Sequence, residues 1–412
     1  MTFESWATES VADCIVPVSV AGKTKIQSRD YKSSGRFPVI DQGQERIAGW
    51  TDDESAVIET PLPLVVFGDH TRAFKFLDVP FARGADGTQL LRPKPSIDPL
   101  FFFYACRAID LPARGYNRHF TVLKEKELSY PSGDDEQKAI AAALRQTESA
   151  LAQQLALLDT LQEIKRAAMT RLFTRGLRGE VPKETEIGLV PETWGVERLD
   201  SIAQVVSTRM AYSELEAAEA AQENGVRVIG IKVSDMNREG NETVLAWAAL
   251  EKTLDAKLAE YRCAPTGTIV FPKRGAAIAT NKKRLTTTWS VFDPNVIGVV
   301  PGASINPGFL FHWFQSFDLK TITEPGPTPQ LNKKHLDPLL IPVPADTDEQ
   351  REIVAILDTL DRKIDLHRKK RAVLEELFQS LLHKLMTGEI RVADLDLSAL
   401  PVAPAQTLEA TA

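Results

Sequence analysis

The 412-residue chain is built twice over. Asp135-Glu136-Gln137 returns as Asp348-Glu349-Gln350, 213 positions later, and that offset holds without a gap for about 40 residues. Pro131 falls on Pro344, Ile140 on Ile353, Leu144 on Leu357, Leu161 on Leu374, Glu163 on Glu376, Leu172 on Leu385 and Thr174 on Thr387. A repeat of this kind constrains architecture before any motif does. Upstream the match is looser: Pro99-Leu-Phe-Phe-Phe with Asp110-Leu111 answers Pro307-Gly-Phe-Leu-Phe with Asp318-Leu319, at an offset of 208. Farther upstream, Val65-Val66-Phe67 and Ile269-Val270-Phe271 read as corresponding strands. The halves agree in their helices and diverge in their globular parts.

The repeated segments read as long helices. Asp134 and Thr347 align as N-caps, each with a glutamine three residues on (Gln137, Gln350), the capping-box arrangement that satisfies free N–H groups of a first turn. Alternate steps of four and three from Ile140 land on Leu144, Thr147, Leu151, Gln154, Leu158, Leu161, Lys165, Ala168 and Leu172, and seven of these ten are apolar. From Ile353 they land on Leu357, Leu360, Ile364, His367, Arg371, Leu374, Phe378, Leu381 and Leu385, with eight of ten apolar. That is a coiled-coil stripe. Without Pro or Gly across these positions, each helix runs for about 40 residues, roughly 60 Å at 1.5 Å per residue. Two matched stripes are expected to pack on each other, at about 1.5–3 kcal/mol gross per buried aliphatic side chain. Gln154, His367 and Arg371 interrupt them, either as register-setting or partner-contacting positions or as a locally solvated seam.

The expected order is a globular domain over 1–131, a helix over 134–175, a second domain over 183–344, a helix over 347–390 and a disordered tail over 391–412. Short β-rich runs at 63–68, 225–232, 266–272 and 295–301 lie between Gly, Pro and Asn clusters, while 212–223 and 241–261 read as helices. The fold class is therefore α+β: two mixed α/β domains joined by two long antiparallel helices that form a coiled coil, as a pseudo-two-fold internal repeat.

Hydrophobic residues at 43% and charged residues at 25% exclude wholesale disorder. The longest apolar runs, such as 99–106, fall far short of the ~20 residues a membrane-spanning helix needs. The N-terminus lacks a basic segment followed by an apolar one, and Cys14, Cys106 and Cys263 stand isolated, so a reducing cytoplasm is the expected location. A net charge of -7 argues against uniform attraction to nucleic acid. Charge is nevertheless segregated: between 262 and 292 stand Arg262, Lys273, Arg274, Lys282, Lys283 and Arg284 without one Asp or Glu.

Catalytic signatures are missing. Gly22-Lys23-Thr24 has Pro17 where a phosphate loop needs its first Gly, and no GxGxxG, HExxH, GxSxG or D/N-Pro-Pro-aromatic tetrapeptide occurs. The chain is not expected to be an enzyme.

These residues carry a resemblance over nearly the whole chain. Pro38-Val-Ile-Asp-Gln-Gly, Val65-Val-Phe-Gly-Asp-His-Thr-Arg-Ala-Phe-Lys-Phe76, the Pro-x-x-Trp opening at Pro191 to Trp194, Gly275-Ala-Ala-Ile-Ala-Thr-Asn-Lys282 and the two Pro-then-Asp-Glu-Gln helix starts, in that order, resemble the specificity subunit of a type I restriction-modification enzyme. The resemblance implies that each globular part is a target-recognition domain for half of a split double-stranded DNA site and that the helices are the ruler between them. It implies two adenine-methyltransferase and two motor-nuclease subunits as partners. S-adenosylmethionine, ATP and Mg2+ would be used by those partners, with no cofactor on this chain. Base reading falls to polar side chains at groove edges and positioning to phosphate contacts. The candidates are His70, Thr71, Arg72, Lys75 and Arg83 in the first domain, and Lys273, Arg274, Asn281, Lys282, Lys283 and Arg284 in the second. Arg118 and His119 are weaker candidates. The helices, at Leu374 and Phe378 among others, are expected to carry the methyltransferase contacts. Two other readings fit part of the pattern: a DNA reader in a related anti-phage modification system, and a coiled-coil protein scaffold.

Overall fold

A computed structural model describes residues 6–84, 87–112, 118–221, 224–323 and 329–401. The chain is mixed α/β and divides into two compact units, residues 1–156 with 369–412 (unit 1) and residues 157–368 (unit 2). Each unit takes part of both long helices, Asp134–Arg175 and Thr347–Met386, so the helices belong to the globular packing and do not stand apart from it.

In unit 1, strand Leu64–Gly68 lies between Phe74–Leu77 and Thr88–Pro93, antiparallel to both, with Ile15–Val16 at the edge. A second sheet sets Phe37–Ile40 antiparallel to Gly49–Thr51 and parallel to Phe81–Arg83. Val65 and Phe67 point into a core with Phe101, Phe102 and Cys106 of helix Pro99–Ala108, and with Ile140, Leu144, Phe378, Leu381 and Leu385 of the long helices. Phe378 lies in this core at 3% exposed and Leu374 is buried at 5% exposed, so a charge at either disrupts the chain's own packing before it reaches a partner. Residues 391–401, expected to be disordered, are placed: Leu395 and Leu397 pack on the same core, and Gln146 Nε2 donates to Leu397 O and Leu400 O at 3.3 and 3.1 Å. Residues 402–412 lie outside the described residues.

In unit 2, strand Ile269–Pro272 lies inside a five-stranded sheet, antiparallel to Val296–Pro301 and Arg284–Thr286. Gly225–Ile231 pairs antiparallel with Leu250–Asp255 and parallel with Trp289–Phe292. Ile269 and Phe271 meet Phe309, Leu310 and Phe314 of helix Pro307–Ser316, with Leu172, Ile353 and Leu357 of the long helices. Leu158, Leu161 and Ile364 form a further buried cluster, while Leu360, and Leu151 in unit 1, are half-buried. Lys165 Nζ meets Asp361 Oδ1 at 2.5 Å and the Leu177 N–H donates to Glu349 Oε1 at 3.0 Å. One helix ascends as the other descends, so the two run antiparallel through this unit.

The expected helix over 241–261 is broken into strands Val244–Leu245 and Leu250–Asp255 and one short helix. Leu250–Asp255 places Leu250, Lys252 and Leu254 at period two, and only Ala256–Arg262 coils, where Asp255 Oδ1 accepts the Leu258 N–H at 3.0 Å. The helix expected over 212–223 ends at Ala217, and residues 222–223 lie outside the described residues.

The repeated glutamines are not capping-box partners. Gln137 and Gln350 are 0% and 1% exposed. Gln137 Oε1 accepts the Asp98 N–H at 2.7 Å, and its Nε2 donates to Ser96 O at 3.1 Å and Pro131 O at 2.8 Å. Gln350 repeats this on Asn306 N–H (2.7 Å), Ser304 O (3.5 Å) and Pro344 O (3.1 Å). Asp98 and Asn306 are the N-caps of the two short helices, each followed by Pro at the first helical position. Each glutamine therefore clamps a short helix onto the start of a long one and satisfies backbone groups that burial would otherwise leave unpaired.

Candidate nucleic-acid interface

In unit 1 the turn between strands Leu64–Gly68 and Phe74–Leu77 carries Asp69, His70, Thr71 and Arg72. It is held from every side. The Arg72 N–H donates to Gly68 O at 2.7 Å with φ at +62°, the Thr71 hydroxyl donates to Gln42 O, and buried Asp69 Oδ1 accepts the Phe120 N–H at 2.8 Å. A Cβ on Gly68 would stand 2.3 Å from Thr71 Oγ1 and 2.5 Å from Gln42 O, which is why glycine occupies the position. The segments 38–43 and 65–76, widely separated in sequence, thus form one knot.

The knot sorts the candidates of the first domain. His70 and Arg72 are exposed, although Arg72 Nη1 donates to Leu111 O at 2.5 Å. Thr71 acts within the turn. Lys75 is a correction: it is 6% exposed, its Nζ donates to Asp41 O at 2.9 Å and lies 3.8 Å from Asp41 Oδ1, and burial lowers its pKa. It ties the two loops together and has no free head for DNA. Arg83 is half-buried, with its Nε unpartnered among the described residues. Arg118 is exposed; His119 is buried, with Nδ1 2.9 Å from Asp69 O.

In unit 2, strand Ile269–Pro272 leads into Lys273, Arg274 and Gly275, which takes φ +68° before the turn Ala276–Ala279. Exposed Arg274 and half-buried Lys273 present their heads from this loop. Three other candidates are corrections. Lys283, 1% exposed, donates from Nζ to Phe317 O at 2.5 Å, and burial pushes its pKa down to about 8. Arg284, 8% exposed, donates from Nη2 to Met236 O and from Nη1 to Lys283 O, both at 2.8 Å, and burial pushes its pKa down to about 10. Asn281, at φ +53°, accepts the Leu319 N–H at 2.9 Å and donates to Phe317 O at 3.3 Å, fixing the loop. Lys282 reaches Asn237 Oδ1. Arg262 is paired with Glu214 at 2.7 Å. The local run of positive charge thus thins to Lys273, Arg274 and Lys282 at the surface.

Other cations went unnoticed in the sequence. Arg209 and Arg238 sit over Tyr261 and Trp247 at 4.9 and 5.0 Å, and both rings are exposed. Arg46, Arg107 and Arg145 share a groove with Arg72 in unit 1. The Arg145–Glu148 spacing beside the stripe was the available signal, but on a helix it reads as ordinary surface charge.

Each unit thus presents a loop tip bearing cations, held by a central strand and a clamped helix, and this fold occurs in known restriction-modification proteins. The crystal structure of the type I restriction-modification S subunit from M. genitalium matches with a TM-score of 0.60 at 16% identity, over 92% of this chain and 96% of that one. Residues 191–376 match the family described as type I restriction modification DNA specificity domain. Two relatives from Methanocaldococcus jannaschii are similar in sequence. The type I restriction enzyme MjaVIII specificity subunit is 24% identical over 276 residues, 64% of this chain and 62% of that protein. The putative MjaX specificity subunit is 25% identical over 324 residues, 74% and 71% of the two chains. Residues 191–376 thus match a type I specificity domain, and the chain as a whole is similar in sequence to type I restriction enzyme specificity subunits.

Proposed function

We propose that this chain is the sequence-reading subunit of a type I restriction-modification complex, in which each unit reads one half of a bipartite double-stranded DNA site. The specificity-domain match at 191–376 is the observation that carries this reading, and the duplicated glutamine clamp extends it to the first half. We take the halves to be copies related by a pseudo-two-fold, with the long helices as a coiled-coil spacer that sets the gap between two short specific blocks. His70 and Arg72 read or position DNA in the first domain, and Lys273, Arg274 and Lys282 in the second, each by base edge or phosphate. Methyl transfer acts on a base taken out of the duplex, so it belongs to a partner enzyme, and this chain supplies the address. Partners are two methyltransferase and two motor-nuclease subunits, docked on exposed apolar helix positions such as Leu155, Ile164, Leu366 and Val373 in place of Leu374 and Phe378. The test is co-expression with the neighbouring methyltransferase gene in a methylation-free host and mapping of modified adenines by single-molecule sequencing. A split motif with a fixed unread gap is expected; an assembled complex that modifies nothing would overturn the reading.

A further inference from the structure

Unit 1 contains a groove of about 630 Å³ between the 69–75 turn, helix Pro99–Ala108 and the first long helix. Four arginines, Arg46, Arg72, Arg107 and Arg145, are among its lining residues, and the one acidic residue among them is Glu148. That carboxylate is already engaged: Glu148 Oε1 accepts from Arg107 Nη1 at 2.5 Å and Oε2 accepts from the Tyr104 hydroxyl at 2.8 Å. Arg107 is further fixed by the Phe378 ring, 5.1 Å away. Arg72 uses one nitrogen on Leu111 O. No hydrogen bond or ion pair holds the head of Arg46 or Arg145 among the described residues. Three arginines at the groove are therefore left without a compensating acid among its lining residues, an arrangement that attracts phosphate and whose forked heads match phosphate oxygens.

The same frame in unit 2 is filled differently. At the repeat offsets, Arg107 is answered by Gln315, Arg145 by Asp358, Glu148 by Asp361 and Tyr104 by His312. Asp358 Oδ1 takes His312 Nε2 at 2.8 Å and Asp361 takes Lys165 at 2.5 Å. A cavity of about 450 Å³ beside Asp361 holds Lys165, Arg166 and Arg368 together with Glu242, and Arg368 is paired with Asp365 at 3.0 Å. Cations there are balanced by acids.

We propose that the unit 1 groove binds the DNA phosphodiester backbone through Arg46, Arg72 and Arg145, and that unit 2 has no equivalent contact. The proposal rests on the DNA-reading function above and adds a one-sided backbone clamp to it. Each phosphate contact contributes close to one unit to the slope of log K against log salt concentration and is blind to base sequence.

The experiment measures DNA affinity across a salt series for the full chain in complex with its methyltransferase, on cognate and unrelated duplexes. Arg46→Gln and Arg145→Gln are expected each to weaken both duplexes alike, by about three- to tenfold, and to lower the slope by ~1; the double variant lowers it by ~2. Asp358→Asn, at the unit 2 counterpart, is expected to leave the slope unchanged. Unaltered slopes in both arginine variants, from a wild-type complex that binds DNA with a salt-dependent affinity, would overturn the groove alone. A wild-type complex with no salt-dependent DNA affinity would overturn the function on which it rests. Calorimetric titration with ATP and with inorganic phosphate distinguishes a free-phosphate site: heat lost in Arg145→Gln, with an unaltered DNA slope, also overturns the backbone assignment.

Discussion

Gln137 and Gln350 make the same three hydrogen bonds in their two units, yet along the same frame Arg107, Arg145 and Glu148 in unit 1 stand where Gln315, Asp358 and Asp361 stand in unit 2. The difference follows from what each group touches. The clamp satisfies buried backbone groups whose positions are set by helix docking, and another side chain there would leave them unpaired. The groove side chains meet solvent and one another, so they are free to change charge without breaking the frame. A frame written twice in the sequence can therefore keep its joints and alter the charged side chains around them.

Removing a clamp is the strongest way to break this comparison. Gln137→Ala or Gln350→Ala takes the partner from one N–H and two carbonyls, of which the Pro131 or Pro344 carbonyl is buried and the other two groups partly so, at about 1–3 kcal/mol for a buried group. We expect a loss of about 3 kcal/mol or more in the unit concerned, read as faster hydrogen exchange of helix Pro99–Ala108 or Pro307–Ser316. A glutamine removable without loss would show that the two joints are not equivalent.

The ion pair of Lys165 and Asp361, with side chains 14% and 11% exposed, sharpens it next. Lys165→Met strands a largely buried carboxylate, an expected cost of about 2–4 kcal/mol after allowance for partial exposure, and adding Asp361→Leu should recover most of it. Denaturant unfolding of the single and double variants checks this; a double variant as unstable as Lys165→Met would contradict it. Gly68→Ala in unit 1 is expected to cost about 1–3 kcal/mol, because the turn must open to admit the Cβ, and to lower DNA affinity with it.

The smallest effect depends on pH. Lys283 has a pKa near 8 in the folded chain against an ordinary 10.5, with burial as the main cause. The unfolded chain holds that proton more tightly, so the burial penalty is full below about pH 8 and is relieved as pH rises toward 10.5. Relative to Lys283→Met, the wild-type chain should gain about 2–4 °C in Tm between pH 7 and 9.5. A constant difference across that range would show that Lys283 keeps its ordinary pKa.

Much of the frame was legible because it is written twice. The Asp-Glu-Gln repeat marks both long-helix starts, and the four β-rich runs are strands at Leu64–Gly68, Gly225–Ile231, Ile269–Pro272 and Val296–Pro301. The role of Gln137 was not legible. A capping rule looks three residues away, whereas its partner Asp98 lies 39 residues upstream. Lys75 could have been sorted by strand period, since it shares a face with buried Leu77 in Phe74–Leu77. Lys283 and Arg284 could not: they are adjacent and both buried, so no alternation along the chain separates them from surface cations. Segment 241–261 misled through its Ala, Leu and Glu content, which favours helix locally, while pairing with Gly225–Ile231 decided the matter. The arginine groove depends on the approach of residues 46, 72, 107 and 145, which no local pattern encodes.

The central claim is that each unit reads its own block of DNA. The most direct test maps methylated adenines in a methylation-free host for the wild-type chain and for the Lys273→Ala, Arg274→Ala double variant, each co-expressed with the methyltransferase. The account predicts a split motif whose base preferences relax in one block and stay unchanged in the other. A continuous motif, or preferences that change in both blocks together or in neither, would contradict it.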